Sequence, residues 1–483
     1  MKLDKLLKNL DYFGDIDLNI DIQKISYDSR KVDKNSCFVA FSGFNNDGHK
    51  FIKDVVPKKP KLIIVDNNNY FDHYDFTIKV DNSRKALSKI ASNFYGNPSS
   101  ELSVIGVTGT NGKTSCCYIT KKIMDSMGHK CGYLGTLGFV LNDNILSTGY
   151  TTPESLELQS ILKLIKDSGI KNSAVEVSSH SLVQDRVSSV NFNVAVFTNL
   201  SQDHLDYHKT MDNYFNAKSK LFRNLNEKAS SVINIDDKYG KMLYDKIKSE
   251  KISFGKSNNA DIQLKHFVQL INKSAVEMRI FNKNFRFETN LIGEYNLYNI
   301  MASVGSLISL NFKEDDILKS ISKLTLKIPG RMELVRKHGS KYFFIDYAHT
   351  PDAFNQVFSS IRKIKTKNKI SCVFGCGGDR DSEKRSKMAF LAEKYCKNVF
   401  VTTDNPRYEN QDKIFSDIVK GFKTNNYHII EDRKDAIKAA IEEMDEDSVL
   451  LVLGKGRENY QIINESQFFF SDYDTIREII NES

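Results

Sequence analysis

The stretch Gly106-Val107-Thr108-Gly109-Thr110-Asn111-Gly112-Lys113-Thr114-Ser115 places a lysine and two hydroxyls directly behind spaced glycines. An apolar, β-branched run, Ser103-Val104-Ile105, leads into it, and apolar residues at Ile119, Ile123, Met124 and Met127 follow at helical spacing. The pattern predicts strand, phosphate loop and helix. Glycines let backbone N–H groups turn toward phosphate oxygens, and the helix start adds the positive end of its dipole. Lys113 is placed to reach the outer phosphates of a nucleotide, and the Thr114 hydroxyl to ligate Mg²⁺. The spacing, G-x-x-G-x-x-G-K-T, departs from the commonest phosphate loop.

Two further clusters carry chemistry. Glu176 ends an apolar run and precedes Val177-Ser178-Ser179-His180; the next run opens into Asn199-Leu200-Ser201-Gln202-Asp203-His204. A carboxylate and an imidazole on neighbouring strand tips beside a phosphate loop suit Mg²⁺ ligation together with Thr114. Imidazole is an unusual magnesium ligand, so His204 as a hydrogen-bonding loop residue stays open. Arg380, Asn405, Arg407 and Glu458 fall at three other strand tips. Two guanidiniums suit bidentate carboxylate binding and Glu458 suits an ammonium, so the set fits a zwitterionic amino acid. A surface salt-bridge network is the alternative. Lys218 lies in Tyr214-Phe215-Asn216-Ala217-Lys218-Ser219-Lys220-Leu221-Phe222, an amphipathic pattern in which spacing alone makes it a solvated lysine.

The elements that must hold these residues divide the chain into three α/β units. Residues 1–98 contain short strands around Ile25–Arg30, Cys37–Phe41 and Lys61–Val65, and end in the linker-like Gly96-Asn97-Pro98-Ser99-Ser100. Residues 99–328 alternate apolar runs with helical stretches, which implies a parallel sheet carrying its site at the strand carboxyl ends. Residues 329–483 hold four runs with polar tips, ending at Asp346, Gly375, Asp404 and Gly454, and read as a second, Rossmann-like sheet. At 483 residues, several domains are expected. The formal net charge of +8 is modest and its lysines are scattered, which argues against nucleic acid as partner. No apolar run reaches membrane-spanning length and the first residues lack a signal-peptide core, so no membrane insertion is expected. Seven cysteines without a C-x-x-C pair point to a reduced, cytoplasmic setting.

Asp28-Ser29-Arg30, Gly109 to Thr114, Thr151-Thr152-Pro153, Glu176 to His180, Asp203-His204-Leu205-Asp206, Ala217-Lys218, Pro329-Gly330-Arg331-Met332-Glu333, Asp346 to Pro351 and Gly454-Lys455-Gly456 occur in this order along the whole chain. In that combination the sequence resembles the Mur ligases of bacterial cell-wall synthesis, most closely the branch that adds the third amino acid. The resemblance implies a three-domain ATP-dependent amide-bond ligase. Its first domain would hold the uridine nucleotide of UDP-MurNAc-L-Ala-D-Glu through Tyr27, Ser29, Phe44, Asn45 and Asn46. Its central domain would bind Mg²⁺-ATP at Gly109, Thr110, Asn111, Gly112, Lys113, Thr114 and Ser115, with magnesium at two sites. Tyr150, Thr151, Thr152, Ser178, Gln184 and Arg186 would contact the muramoyl-peptide.

Lys218 matches the family's carbamoylated lysine, an anion able to hold Mg²⁺ with Glu176 and His204. Asn296, Asn299, Arg331, Asp346 and His349 match the nucleotide and domain-closure surface. Asp404-Asn405-Pro406-Arg407 matches the variant that takes meso-diaminopimelate, with Arg380, Gly454 and Glu458 completing the pocket. Meso-lanthionine, a near-isostere, is not distinguished. An L-lysine-adding ligase, a folylpolyglutamate synthetase-like ligase and a regulatory P-loop ATPase are the alternatives. A monomer is expected. Arg457 stands where the family often has His, and Ser386-Lys387 where Pro-Leu is usual.

Overall fold

The computed structural model describes residues 1–43, 46–71, 74–141 and 144–482. Three α/β units follow one another. The first is a parallel four-stranded sheet in sequential order, Lys24–Ser26, Ser36–Val39, Leu62–Val65 and Thr77–Lys79. The helix Ser83–Phe94 covers it, burying Ala86, Leu87 and Ile90 in one small core with Leu62, Ile64 and Ile78. The expected strand through Arg30 stops at Ser26. Asp28 takes the next N–H groups instead: its carboxylate accepts from the Arg30 backbone at 3.0 Å and starts a 3-10 turn over Ser29–Lys31. A short side chain that bonds its own backbone competes with the ladder at a strand end.

The central sheet has eleven strands. Its parallel heart runs Glu250–Gly255, Ser230–Asn234, Val194–Phe197, Ser103–Thr108, Asn172–Glu176, Cys131–Gly135. Ser103–Thr108, first of these in the chain, pairs with Asn172–Glu176 on one side and Val194–Phe197 on the other. That reversal of strand order opens a crevice at the carboxyl ends, where open α/β sheets bind ligands. The antiparallel strands Ile262–Gln269, Ser274–Ile280 and Lys283–Thr289 extend one edge. Helices Lys113–Ser126 and Glu294–Ser309 pack on one face, and Ser155–Asp167 and Met211–Arg223 on the other, each face closing over its own core.

The third sheet has six strands in the order Glu333–His338, Lys341–Asp346, Val449–Leu453, Ile370–Phe374, Asn398–Val401, His428–Ile429. All pairs are parallel except the first. The four runs expected from the sequence form its middle, and all four polar tips emerge at one edge. Beneath that edge, Arg433 and Asp472 form an ion pair with no exposed side-chain surface. Arg433 also donates to the Leu453 carbonyl at 3.0 Å and the Thr403 carbonyl at 3.4 Å. Two tips are therefore held from below by one buried cation.

Candidate active site

The phosphate loop is built from glycines that nothing else could replace. Gly109 has φ +152°, and a Cβ there would lie 1.8 Å from the Thr198 hydroxyl oxygen; Gly112 has φ +89°, with Asn299 Oδ1 at 2.5 Å from its would-be Cβ. Both are left-handed, crowded positions that L side chains rarely adopt. The neighbouring strand tip fastens the loop. Thr110 N–H donates to the Asn199 carbonyl at 2.9 Å, Asn111 N–H to Asn199 Oδ1 at 3.0 Å, and the Thr198 hydroxyl to the Asn111 carbonyl at 2.6 Å. Lys113 starts the helix and its ammonium bridges the Gly109 and Thr110 carbonyls at 2.9 and 2.8 Å. Burial lowers its pKa from the ordinary 10.5, against the attraction of Glu176 and Asp203.

Lys218 is not on the surface: it is 1% exposed and its ammonium donates to the Gly109 carbonyl at 2.8 Å, 4.7 Å above the Tyr214 ring. The expectation from spacing fails because Tyr214, Phe215, Ala217, Lys218, Leu221 and Phe222 all turn inward on one helix. Burial, then repulsion from Lys113, holds the Lys218 pKa well below 10.5.

Glu176 is fully buried and, among the described residues, takes neutral donors: the Tyr133 hydroxyl at 2.5 Å, and the Thr136 N–H and hydroxyl at 3.0 and 3.1 Å. His204 has φ +52° and sits 3.3 Å from Asp203, its ring 5.0 Å from that of His180. Burial keeps it neutral against the pull of Asp203. Among the described residues no three His, Cys, Asp or Glu side chains converge on one metal position. The donor chemistry nevertheless fits magnesium. Glu176 is a buried carboxylate without a salt-bridge partner among the described residues, and the Thr114 hydroxyl stands at the helix start. A neutral amine at Lys218 is the form that reacts with CO₂, and a carbamate there would turn its repulsion with Lys113 into attraction.

The third unit reaches this loop directly. Asn111 donates to Asp352 at 2.9 Å, and Arg331 to the Thr114 hydroxyl at 3.2 Å. Asp346 accepts from the Met332 and Ala348 N–H groups at 2.5 and 2.7 Å, and His349 Nδ1 meets the Tyr347 carbonyl at 2.8 Å. Burial raises the Asp346 carboxyl and lowers His349 to about 4. Asn296 is turned back to the segment before its helix, donating to the Ile292 carbonyl, while Asn299 donates to Asn296 Oδ1. Ser115 is buried in the first turn of the loop helix.

On the other flank, Thr152 donates to the Glu176 carbonyl at 2.7 Å and accepts from Ser178 N–H at 3.1 Å. Arg186 donates to the Thr152 carbonyl and to Gln184 Oε1, and lies 5.5 Å from the centre of the Tyr150 ring. Thr151 meets the Thr136 hydroxyl at 3.2 Å. The structure adds residues that sequence reasoning missed. Glu154 pairs with Arg186 at 2.9 Å and with Arg84 of the first unit at 3.4 Å; Glu157 accepts from Tyr27 at 2.9 Å. Arg84 stacks on Phe41, 4.2 Å from its ring centre. No local pattern signals partners 70 and 130 residues apart. Ser29 is half-buried, its carbonyl held by Lys58; Asn46 is exposed, and Phe44 and Asn45 lie outside the described residues.

At the third sheet's edge, Glu458 accepts from the Tyr347 hydroxyl at 3.0 Å and from Asn405 at 3.3 Å, with the fully buried Lys455 at 3.6 Å. Arg407 has φ +53° and spends its guanidinium on the Gly378 and Asn405 carbonyls, at 2.8 and 3.4 Å. Burial and then the neighbouring Arg380 lower its pKa from 12.5. Gly454 has φ +112° and leaves room for the nearly buried Asp404, whose Oδ2 would lie 2.6 Å from a Cβ; the Pro406 carbonyl packs more tightly still on Gly378, 1.9 Å from a would-be Cβ. Arg457 turns away from this pocket. It pairs with Glu333 at 2.5 Å and stacks on Tyr473, 3.4 Å from the ring centre.

The chain resembles known proteins along its whole length. Residues 107–307 match the Mur ligase middle domain, and residues 330–456 the Mur ligase, glutamate ligase domain. The chain is 40% identical over 490 residues, all of both chains, to the UDP-N-acetylmuramoyl-L-alanyl-D-glutamate--2,6-diaminopimelate ligase of Clostridium tetani. A solved structure of a ligase of that name superposes with TM-score 0.71 at 28% identity, covering 100% of this chain and 99% of that one. The MurF ligase of Thermotoga maritima, solved in complex with ADP, shares the fold with TM-score 0.65 at 19% identity, covering 95% and 97%.

Proposed function

The chain belongs to the Mur ligase family, and we infer from that premise that it joins 2,6-diaminopimelate to UDP-MurNAc-L-Ala-D-Glu. It is an ATP-dependent ligase of peptidoglycan synthesis. In our assignment, residues 1–98 hold the uridine nucleotide, 99–328 the ATP and 329–483 the amino acid, and the protein works as a monomer in the cytoplasm.

The D-glutamate γ-carboxylate attacks the γ-phosphorus of ATP, giving an acyl phosphate and ADP. Lys113 and the loop N–H groups offset the charge of two anions brought together. The neutral diaminopimelate amine then attacks the acyl carbon, phosphate leaves with the C–O bond electrons, and the proton shed by the nitrogen passes to the departing phosphate or to solvent. Arg186 and Thr152, on the first-unit flank, orient the peptide. Closure of the third unit over the loop, through Arg331 and Asp352, keeps water from the acyl phosphate. Thr114, Glu176, His204 and a carbamoylated Lys218 would hold magnesium, which supplies further neutralisation of phosphate charge when bound.

The observation that carries the substrate assignment is the pair Arg380 and Arg407. Both line Gly377, whose would-be Cβ lies 3.0 Å from Arg407 Nη1 and 3.9 Å from Arg380 Cγ. Burial and then the Arg380 charge lower the Arg407 pKa against the pull of Asp404, Glu458 and Asp379, and among the described residues no carboxylate forms an ion pair with Arg407. An anion is what they lack. The distal carboxylate of meso-diaminopimelate or meso-lanthionine supplies it, whereas L-lysine leaves Arg407 unpaired. Phosphate release should therefore require the UDP-dipeptide together with one of the two diacids, and stay low with lysine. Turnover of lysine at an equal or greater rate defeats the assignment.

A further inference from the structure

Tyr347 touches both ends of the reaction. Its hydroxyl donates to Glu458 Oε1 at 3.0 Å in the amino-acid pocket. Its ring lies under the Arg331 guanidinium, 4.3 Å from the carbon to the ring centre, and Arg331 donates to Thr114 of the phosphate loop at 3.2 Å. Its backbone N–H donates to the Gly330 carbonyl at 2.9 Å, at the joint between the central and third units. That joint has no slack. Gly330 has φ +65°, and a Cβ there would lie 2.5 Å from Arg457 N and 2.9 Å from Gly456 Cα, both in the loop that bears Glu458. Glu333 ties the same joint, accepting from Gly330 N–H at 2.8 Å and pairing with Arg457.

We propose that Tyr347 is a positioning residue that couples occupancy of the amino-acid pocket to nucleotide binding at the phosphate loop. The proposal rests on Glu458 belonging to the amino-acid pocket. An ammonium group arriving at Glu458 competes with the Tyr347 hydroxyl for the same carboxylate and cancels its charge. The ring follows its hydroxyl, and Arg331 rides on the ring. With Glu458 neutralised, the guanidinium charge is left for the phosphates beside Thr114. The coupling is positive, and linkage makes it reciprocal: whatever factor the amino acid gives the nucleotide, the nucleotide gives the amino acid. Simple fixing of Glu458 by the hydroxyl would instead alter amino-acid affinity equally with and without nucleotide.

The test is a binding titration on the full chain. A non-hydrolysable ATP analogue is titrated with and without saturating meso-diaminopimelate, and the two dissociation constants are compared. In the unaltered protein the amino acid tightens the analogue by about fivefold or more. In Tyr347→Phe, which keeps the ring and removes the hydroxyl, both ligands still bind singly and the ratio falls below twofold. If Tyr347→Phe does not fold, Arg331→Lys reports the same coupling from the nucleotide end, because an ammonium lacks the planar stack. A ratio near one in the unaltered protein, or an unchanged ratio in the variant, overturns the proposal. Glu458→Gln separates the premise: unaltered diaminopimelate affinity there removes Glu458 from the pocket, whereas weakened affinity with an unchanged Tyr347→Phe ratio rejects the coupling alone.

Discussion

Lys218 and Arg407 show how burial gives two ordinary side chains their chemistry. Lys218 is buried beside a second ammonium, so its charged form is disfavoured and the neutral amine, the form that reacts, is favoured. Lys218→Ala is expected to cut turnover by about 100-fold or more, with partial rescue by short carboxylic acids, measured as phosphate release. Undiminished activity would remove the carbamate from the site. Arg407 is held by two carbonyls in a left-handed backbone, aimed rather than paired. Arg407→Ala should raise the KM for meso-diaminopimelate by about 10–100-fold, the loss of hydrogen bonds to a charged group, while the KM for ATP moves little. An unaltered preference for diaminopimelate over lysine would contradict that role.

Strand tips and the turns behind them set these residues in place, and their legibility in the sequence was uneven. The phosphate loop and the four tips of the third sheet were visible because glycines and polar residues interrupt long apolar runs at fixed points. The inward face of the helix carrying Lys218 was not, since a lysine between Ala217 and Ser219 reads as solvated without its tertiary neighbours. The antiparallel edge Ile262–Thr289 was also missed: its strands alternate polar and apolar residues on a half-exposed surface, a weaker signal than a buried run. One turn makes an element-scale prediction. His49 is buried in the first unit, with Asp47 at 2.7 Å and Asp66 at 3.1 Å. Burial opposes its charge, but bonds to Asp66 and Asp47 prevail and raise its pKa above 6.5. A raised folded-state pKa stabilises fully below the unfolded value and is lost as pH rises through the folded one. His49→Gln should therefore lower the melting temperature more at pH 5.5 than at pH 8.5. An equal drop at both would show that the pair is not charged.

At the scale of the molecule, three units meet around one crevice. Arg84 and Tyr27 reach the central unit through Glu154 and Glu157, and Arg331 and Asp352 reach it from the other side. These contacts join residues far apart in the chain, so no sequence pattern could expose them; only the motif order hinted that the units share a task. Their arrangement makes sense if a carboxyl group is activated at the loop and captured by an amine brought from the third sheet. The most direct measurement of that claim follows oxygen. UDP-MurNAc-L-Ala-D-Glu labelled with ¹⁸O in the γ-carboxyl is turned over with ATP and meso-diaminopimelate, and the released phosphate is analysed by mass. One labelled oxygen per turnover is expected to move from the carboxyl into phosphate; phosphate free of label would rule out carboxyl activation by phosphorylation.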